Sequence, residues 1–477
     1  MHLLDQIHTW ARTQPNLVAH ISDGRSVTYA ELADGTAACA RLIWRELRDD
    51  RSPVVVLGHK EPEMLMGFLG SVTAGHPYVP LDRVLPAQRI QQIIAACGSR
   101  LLLTPERIRE ALGGDSESVP VDVRVGTHDA FYIMFTSGST GEPKGVTITL
   151  ENLSSFLDWM HSEHSFEPGC ERFLNQAPFS FDLSVMDTYL GLSSGGTVFS
   201  LSSGDLAAPA RLFEALSNSG ITTWVSTPSF VMLCLAEPNF GASMLPKLRR
   251  FLFCGETLPK SVAARLLERF PAASVWNTYG PTEATVATTS VRLDAAMLVR
   301  YSTVPVGAPR PGSKILISAG EIVIVGPNVS PGYFHQPELT RSHFFDVDGA
   351  RAYRTGDLGH LEDGLLFFDG RVDNQLKLHG YRIELGDVEA NLRKLPSVQD
   401  AVVLPLDDNG RVTALAAFVL GDRPTSETEF QAAIRLRSQL AEWLPVYMIP
   451  RVLRIVDRWP LTPNGKVDRR ALASRLT

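Results

Sequence analysis

Short β-branched or aromatic runs alternating with amphipathic helical stretches constrain this chain more than any other feature. Apolar residues recur at helical spacing over 3–12 and 29–47, whereas 53–57, Pro-Val-Val-Val-Leu, is short and β-branched and reads as a buried strand. The strand signal returns at 75–80, 100–104, 130–136, 197–201, 223–226 and 250–254, with helical stretches between several of them. A parallel strand pair needs a crossover of a dozen or more residues, which a helix supplies, so this alternation predicts an α/β body with parallel pairing and more than one sheet.

The pattern changes further along. Residues 321–326 and 365–369 read as short strands closed by Gly and Pro turns, which predicts a β-rich subdomain. After Gly370 comes a small α+β unit, with a strand at 374–378, a helix from about Gly386, two strands joined at 407–410, a helix near 427–443 and a last strand at 451–456. With 477 residues, 44% of them hydrophobic, the chain exceeds one core and needs at least two domains. The expected division is a core domain over 1–370, a hinge at 371–373 and a lid domain over 374–477.

Charge and cysteine content narrow the function classes. A net charge of −7, with no Lys/Arg block, leaves no electrostatic footprint for nucleic acid. Residues 371–477 hold 16 Lys and Arg against 13 Asp and Glu, while 1–370 hold 29 against 39. That contrast is either an accident of surface composition or a face for an acidic partner. Five cysteines without CxxC spacing fit reduced thiols, no apolar run is long enough for a membrane span, and the start has no signal-peptide pattern, so a cytoplasmic protein is expected.

Five strings carry chemistry. Thr136-Ser137-Gly138-Ser139-Thr140-Gly141-Glu142-Pro143-Lys144-Gly145 packs hydroxyls, glycines and a lysine as a phosphate cradle requires, yet departs from the Walker spacing because glycine follows the lysine. Asn277-Thr278-Tyr279-Gly280-Pro281-Thr282-Glu283 sets an aromatic face for adenine beside a carboxylate suited to Mg²⁺. In Tyr353-Arg354-Thr355-Gly356-Asp357 the aspartate suits ribose hydroxyls. The fourth runs from Gly370 to Glu384 through Arg371 and Asp373, and the fifth is Pro463-Asn464-Gly465-Lys466-Val467-Asp468. His161-Ser162-Glu163-His164 lacks zinc-ligand spacing and is expected on the surface.

Together and in this order, the strings resemble the acyl-adenylate-forming superfamily over nearly the whole chain. The wording is closest to the D-alanine:D-alanyl carrier protein ligases, through 181–187, 226–230, 251–256 and 277–287. The resemblance implies a large N-terminal domain of two α/β sheet subdomains plus a β-rich subdomain, and a small mobile α+β C-terminal domain rotating about Asp373. It implies ATP and Mg²⁺ as cofactors, with Thr136, Ser137, Thr140, Lys144, Asn277, Thr278, Tyr279, Thr282, Asp357 and Arg371 at the nucleotide and Glu283 on the metal. Lys466 and Arg371 are the implied catalytic residues. Asp182 would pair with a substrate α-ammonium, unless it serves only to cap the helix beginning at Leu183. The rest of the implied pocket is Leu183, Met186, Ser229, Leu252, Cys254, Thr278, Gly280, Val286 and Ala287, whose size suits a small amino acid such as alanine. Serine, glycine, proline or an acyl-CoA synthetase activity are the alternatives. The implied acceptor is the phosphopantetheine thiol of a separate acyl carrier protein, reached past Gly380. One departure is the turn Ser318-Ala319-Gly320, shorter than in relatives, which should trim a surface hairpin.

A charge-assisted contact made mainly in the transition state contributes roughly 3 to 4 kcal/mol. Lys466→Ala should therefore cut adenylation at least ~10²-fold with binding less affected. An unchanged pyrophosphate-exchange rate would remove Lys466 from that role.

Overall fold

The computed structural model describes residues 3–48, 50–113, 119–120, 123–138, 141–373, 375–378, 380–408, 411–421, 427–462 and 467–476. Two compact units account for them. The first comprises Met1–Arg83, Cys97–Phe135 and Gly145–Val372; the second comprises Val84–Ala96, Thr136–Lys144 and Asp373–Thr477. The expected α/β class is present.

In the first unit a nine-stranded sheet has the order Ala308–Pro309, Thr289–Leu293, Ser274–Tyr279, Arg250–Phe253, Thr223–Ser226, Arg172–Asn175, Thr197–Ser200, Val18–Ser22, Arg25–Thr28. Its inner pairs from Ser274–Tyr279 to Val18–Ser22 are parallel, as the strand and helix alternation predicts, and only the edges are antiparallel. A six-stranded sheet contains Val54–Gly58, Tyr78–Asp82 and Ala130–Thr136, also paired in parallel. These strands are buried on both faces and hence nearly all apolar.

A buried polar chain ties these two sheets. Lys60, just past Val54–Gly58 and 2% exposed, donates to the backbone oxygens of Asn175 (3.0 Å) and Gln176 (2.7 Å). Asn175 donates through Nδ2 to Asp187 Oδ1 at 2.9 Å and accepts from the Ser200 hydroxyl at 2.8 Å, and Ser200 meets His20 Nε2 at 2.9 Å. Burial lowers the Lys60 pKa to about 8, against the pull of Asp187, and lowers that of His20 to about 3.

The β-rich part is a five-stranded antiparallel sheet, in which Lys314–Ser318 and Glu321–Val325 form a hairpin with Ser318 opposite Glu321. Its turn is only Ala319 (φ 52°) and Gly320 (φ 84°), so the short turn noted in the sequence closes a two-residue hairpin with both residues left-handed. In the second unit the C-terminal segment folds as expected, with a hairpin of Gln375–Leu378 and Tyr381–Glu384, helices Leu385–Arg393 and Glu429–Leu440, and strands Val398–Asp408, Arg411–Gly421 and Val452–Val456 in one sheet. The 409–410 link lies outside the described residues. Among the described residues no helix is long and apolar enough to cross a membrane.

A left-handed non-glycine residue costs roughly 1 to 2 kcal/mol. Ala319→Gly should therefore raise unfolding stability by about 0.5 to 1 kcal/mol, measured by denaturant titration. A loss would show that the turn is not strained.

Candidate functional site

Four parallel strands of the nine-stranded sheet end side by side, with Asn175 opposite Val225 and the row Ser226, Phe253, Asn277 in register. Open α/β sheets bind ligands beyond such carboxyl ends. Here those ends lead into Asp182, Ser229, Cys254 and Gly280, which were the sequence candidates for substrate contact. Leu183, Met186, Leu252, Cys254, Val286 and Ala287 share one buried cluster. Thr278, 2% exposed, donates its hydroxyl to Phe253 O at 2.8 Å, and Ser229 donates its backbone N–H to Glu256 at 2.8 Å.

Asp182 is half-buried at the head of helix Leu183–Ser193 and makes no side-chain capping hydrogen bond to it. The capping role therefore lacks the contact that defines it.

The turn after Tyr279 is strained. Thr285 (φ 54°) and Val286 (φ 66°) are β-branched residues in the left-handed region, where such side chains are genuine outliers. The Cys254 thiol donates to Val286 O at 3.4 Å, Thr285 donates its hydroxyl to Asn328 O at 2.7 Å, and Thr288 N–H bonds Tyr279 O at 2.7 Å. Gly280 is required for this closure, because a Cβ there would lie 2.7 Å from Ala287 Cα. Cys254 is thus a buried thiol with a structural bond.

The nucleotide candidates of the first unit form one constellation. Tyr279 donates its hydroxyl to Asp357 Oδ2 at 2.6 Å, Arg371 pairs with Asp357 Oδ1, and Asp357 is 6% exposed. Burial, and then the Asp357 charge, drive the Tyr279 pKa well up. Asn277 donates to Pro305 O at 2.8 Å while its buried Oδ1 has no hydrogen-bond partner. Thr282 and Glu283 sit in a buried one-turn helix, and Tyr333 donates its hydroxyl to Glu283 Oε1 at 2.9 Å. Tyr333 and the left-handed backbone of Thr285 and Val286 escaped the sequence reading. No local signal distinguishes a tyrosine fifty residues from its partner, and β-branched residues argue against such a turn.

Within the second unit, Thr136 donates its hydroxyl to Lys144 O at 3.5 Å, Ser137 donates to Arg382 O at 3.1 Å, and Lys144 lies 3.5 Å from the Glu384 carboxylate. Arg89, missed in the sequence, is buried there against Asp387 at 2.9 Å. Gly380 takes φ 86°, and Asp373 Oδ1 accepts from Gln375 N–H at 3.1 Å. Thr140 and Lys466 lie outside the described residues.

The histidine string is not on the surface. His161 is half-buried on Ser193 at 2.7 Å, and His164 is buried edge-on to Trp276, where desolvation and Arg250 lower its pKa to about 3. The helix Leu150–His164 turns both rings inward for packing.

A model of the AMP-binding enzyme family matches residues 7–334, and one of the AMP-binding enzyme C-terminal domain matches 387–466. The chain belongs to the AMP-binding enzyme family. It is an AMP-forming, ATP-dependent ligase. Relatives named D-alanine--D-alanyl carrier protein ligase, from Bacillus anthracis and Bacillus mycoides, are each 44% identical with 100% of both chains covered. Among solved structures, an NRPS protein containing adenylation and PCP domains is 25% identical with a TM-score of 0.82, over 99% of this chain and 84% of that one. The Vibrio cholerae adenylation domain AlmE, in complex with glycyl-adenosine-5'-phosphate, shares the fold at a TM-score of 0.82 and 24% identity, over 100% of this chain and 97% of that one.

Gly280→Ala should disrupt the AMP-binding enzyme's strained turn. The overlap with backbone should cost roughly 1 to 3 kcal/mol of stability, read from the denaturant midpoint. Wild-type stability would mean that the turn relaxes freely.

Proposed function

We propose that this enzyme activates a small amino acid, with alanine the first choice, as its aminoacyl-AMP and transfers it to the phosphopantetheine thiol of a separate carrier protein in the cytoplasm. The observation that carries the reading is Asp182, a half-buried carboxylate at the head of helix Leu183–Ser193 with no capping bond to it, in the segment that follows strand Arg172–Asn175 of the parallel sheet. An ammonium partner offsets the desolvation of such a carboxylate. We assign the side-chain pocket to Leu183, Met186, Leu252, Cys254, Val286 and Ala287, whose bulk suits a small side chain. Full-length relatives whose names specify D-alanine and a carrier protein support the same substrate class and acceptor. Free cysteines at 39, 97, 170, 234 and 254 fit a reducing compartment.

In the first half-reaction the amino-acid carboxylate attacks the α-phosphorus of ATP and pyrophosphate leaves, so the task is to align and neutralise like-charged groups. We assign Lys466 to the carboxylate and α-phosphate. Thr136, Ser137, Thr140 and Lys144 take the β- and γ-phosphates. Tyr279, Asn277, Thr278 and Thr282 line the adenosine, and Asp357 with Arg371 takes the ribose; the Arg371 ion pair and the Tyr279 hydrogen bond hold Asp357 in orientation.

Glu283 fits a Mg²⁺ ligand. It is fully buried, oriented by Tyr333, and no cluster of three metal-ligating side chains surrounds it among the described residues. A single carboxylate suits Mg²⁺, which keeps its other positions for water and phosphate oxygens and would neutralise charge on the leaving pyrophosphate. Transfer to the thiol needs the lid to turn about Asp373, and the change of compact unit between Val372 and Asp373 supports that hinge and the domain division there. Gly380 is assigned to the thiol's path.

Pyrophosphate exchange against amino acids of both configurations tests the substrate. Asp182→Ala should lower kcat/KM at least ~10²-fold for every amino acid that the wild type accepts, since removing one member of a desolvated charge pair costs about 2 to 5 kcal/mol. Retained exchange in that variant, or exchange by the wild type with fatty acids only, would overturn the reading.

A further inference from the structure

The donors assigned to phosphate are held by the chain itself. Lys144, 8% exposed, has the Glu384 carboxylate 3.5 Å from Nζ, and Glu384 is itself 8% exposed. Ser137 gives its one hydroxyl hydrogen to Arg382 O at 3.1 Å and accepts from Glu384 N–H at 3.1 Å, so its hydrogen-bonding capacity is taken from both sides. Gln375 Nε2 donates to Glu384 Oε1 at 2.5 Å and fixes the carboxylate's rotamer.

A second contact fastens the same segment. Arg89 donates to Gly141 O at 3.4 Å and to Asp387 Oδ2 at 2.9 Å, and both side chains are buried. Gly141 takes φ 85°, and a Cβ there would lie 2.7 Å from the Ala390 methyl. All of these residues belong to the second unit. A pyrophosphate oxygen and the Glu384 carboxylate therefore compete for one lysine, a pyrophosphate oxygen and the Arg382 carbonyl compete for the Ser137 hydrogen, and two anions on one buried ammonium repel.

We propose that Glu384 is a phosphate surrogate that takes over Lys144, with the neighbouring Arg382 carbonyl taking the Ser137 hydroxyl, once pyrophosphate has left, so that pyrophosphate cannot return during the transfer half-reaction. The inference rests on the adenylation reading, because it needs a pyrophosphate to exclude. Pyrophosphate returning to the loop would attack the α-phosphorus of the aminoacyl-AMP through one of its oxygens, expel the amino-acid carboxylate and regenerate ATP. Glu384 acts by occupying Lys144 and touches no reacting atom, which makes it a positioning residue.

The test uses the full chain and inorganic pyrophosphate with no amino acid, followed by calorimetry. Glu384→Gln should bind pyrophosphate at least about tenfold more tightly than the wild type, because the competing charge is gone. Glu384→Asp, whose shorter side chain withdraws from Lys144, should fall between them and decides the matter if the glutamine variant does not fold. Adding Lys144→Ala to either variant should abolish the gain. In single-turnover transfer from preformed aminoacyl-AMP, pyrophosphate should inhibit the Glu384 variants at about one-tenth of the wild-type concentration. Equal or weaker pyrophosphate binding in both Glu384 variants overturns the proposal, as does a gain that survives Lys144→Ala. Loss of exchange with all amino acids while pyrophosphate binding still tightens would overturn the substrate reading and leave the surrogate role standing.

Discussion

The rest of the larger unit depends on a lysine buried between two sheets. Lys60 is carried by the loop after one parallel strand and spends its ammonium on the backbone carbonyls of Asn175 and Gln176 at the end of another. Burying an ammonium is expensive unless its hydrogen bonds are supplied, and two carbonyls with the field of Asp187 supply them. Asn175 passes the constraint on to Asp187 in helix Leu183–Ser193, the helix that Asp182 precedes. The polar chain thus fixes where the segment carrying Asp182 leaves the sheet, which non-directional apolar packing alone cannot do.

Around that anchor the site is assembled from strand ends and held partly in strain. Thr285 and Val286 occupy left-handed backbone that their branched side chains resist, and the compensation comes from Cys254, Asn328 and the close approach that Gly280 permits. The smaller unit works differently. There the donors Lys144 and Ser137 are met by Glu384 and the Arg382 carbonyl.

Much of this was legible from local pattern. Runs such as Ala130–Thr136 and Thr223–Ser226 coincide with strands because strand signals lie in consecutive residues, and the Ser318–Glu321 turn could be read as short because its length is a property of the sequence. The histidines at 161 and 164 were misplaced for the converse reason. Their burial depends on Ser193 and Trp276, contributed by distant elements.

The amino-acid sequence by itself determined the α/β class and the five motif strings, each written in neighbouring residues, and the resemblance those strings carry implied the adenylating chemistry. Only the tertiary structure decided that Asp182 makes no capping bond, that Tyr333 holds Glu283, that Asp357 is clamped between Tyr279 and Arg371, and that Glu384 sits on Lys144. These pairings join residues 14 to about 240 positions apart, from Arg371 with Asp357 to Lys144 with Glu384. Backbone geometry, burial and charge select them after the chain has folded, and no local spacing encodes them.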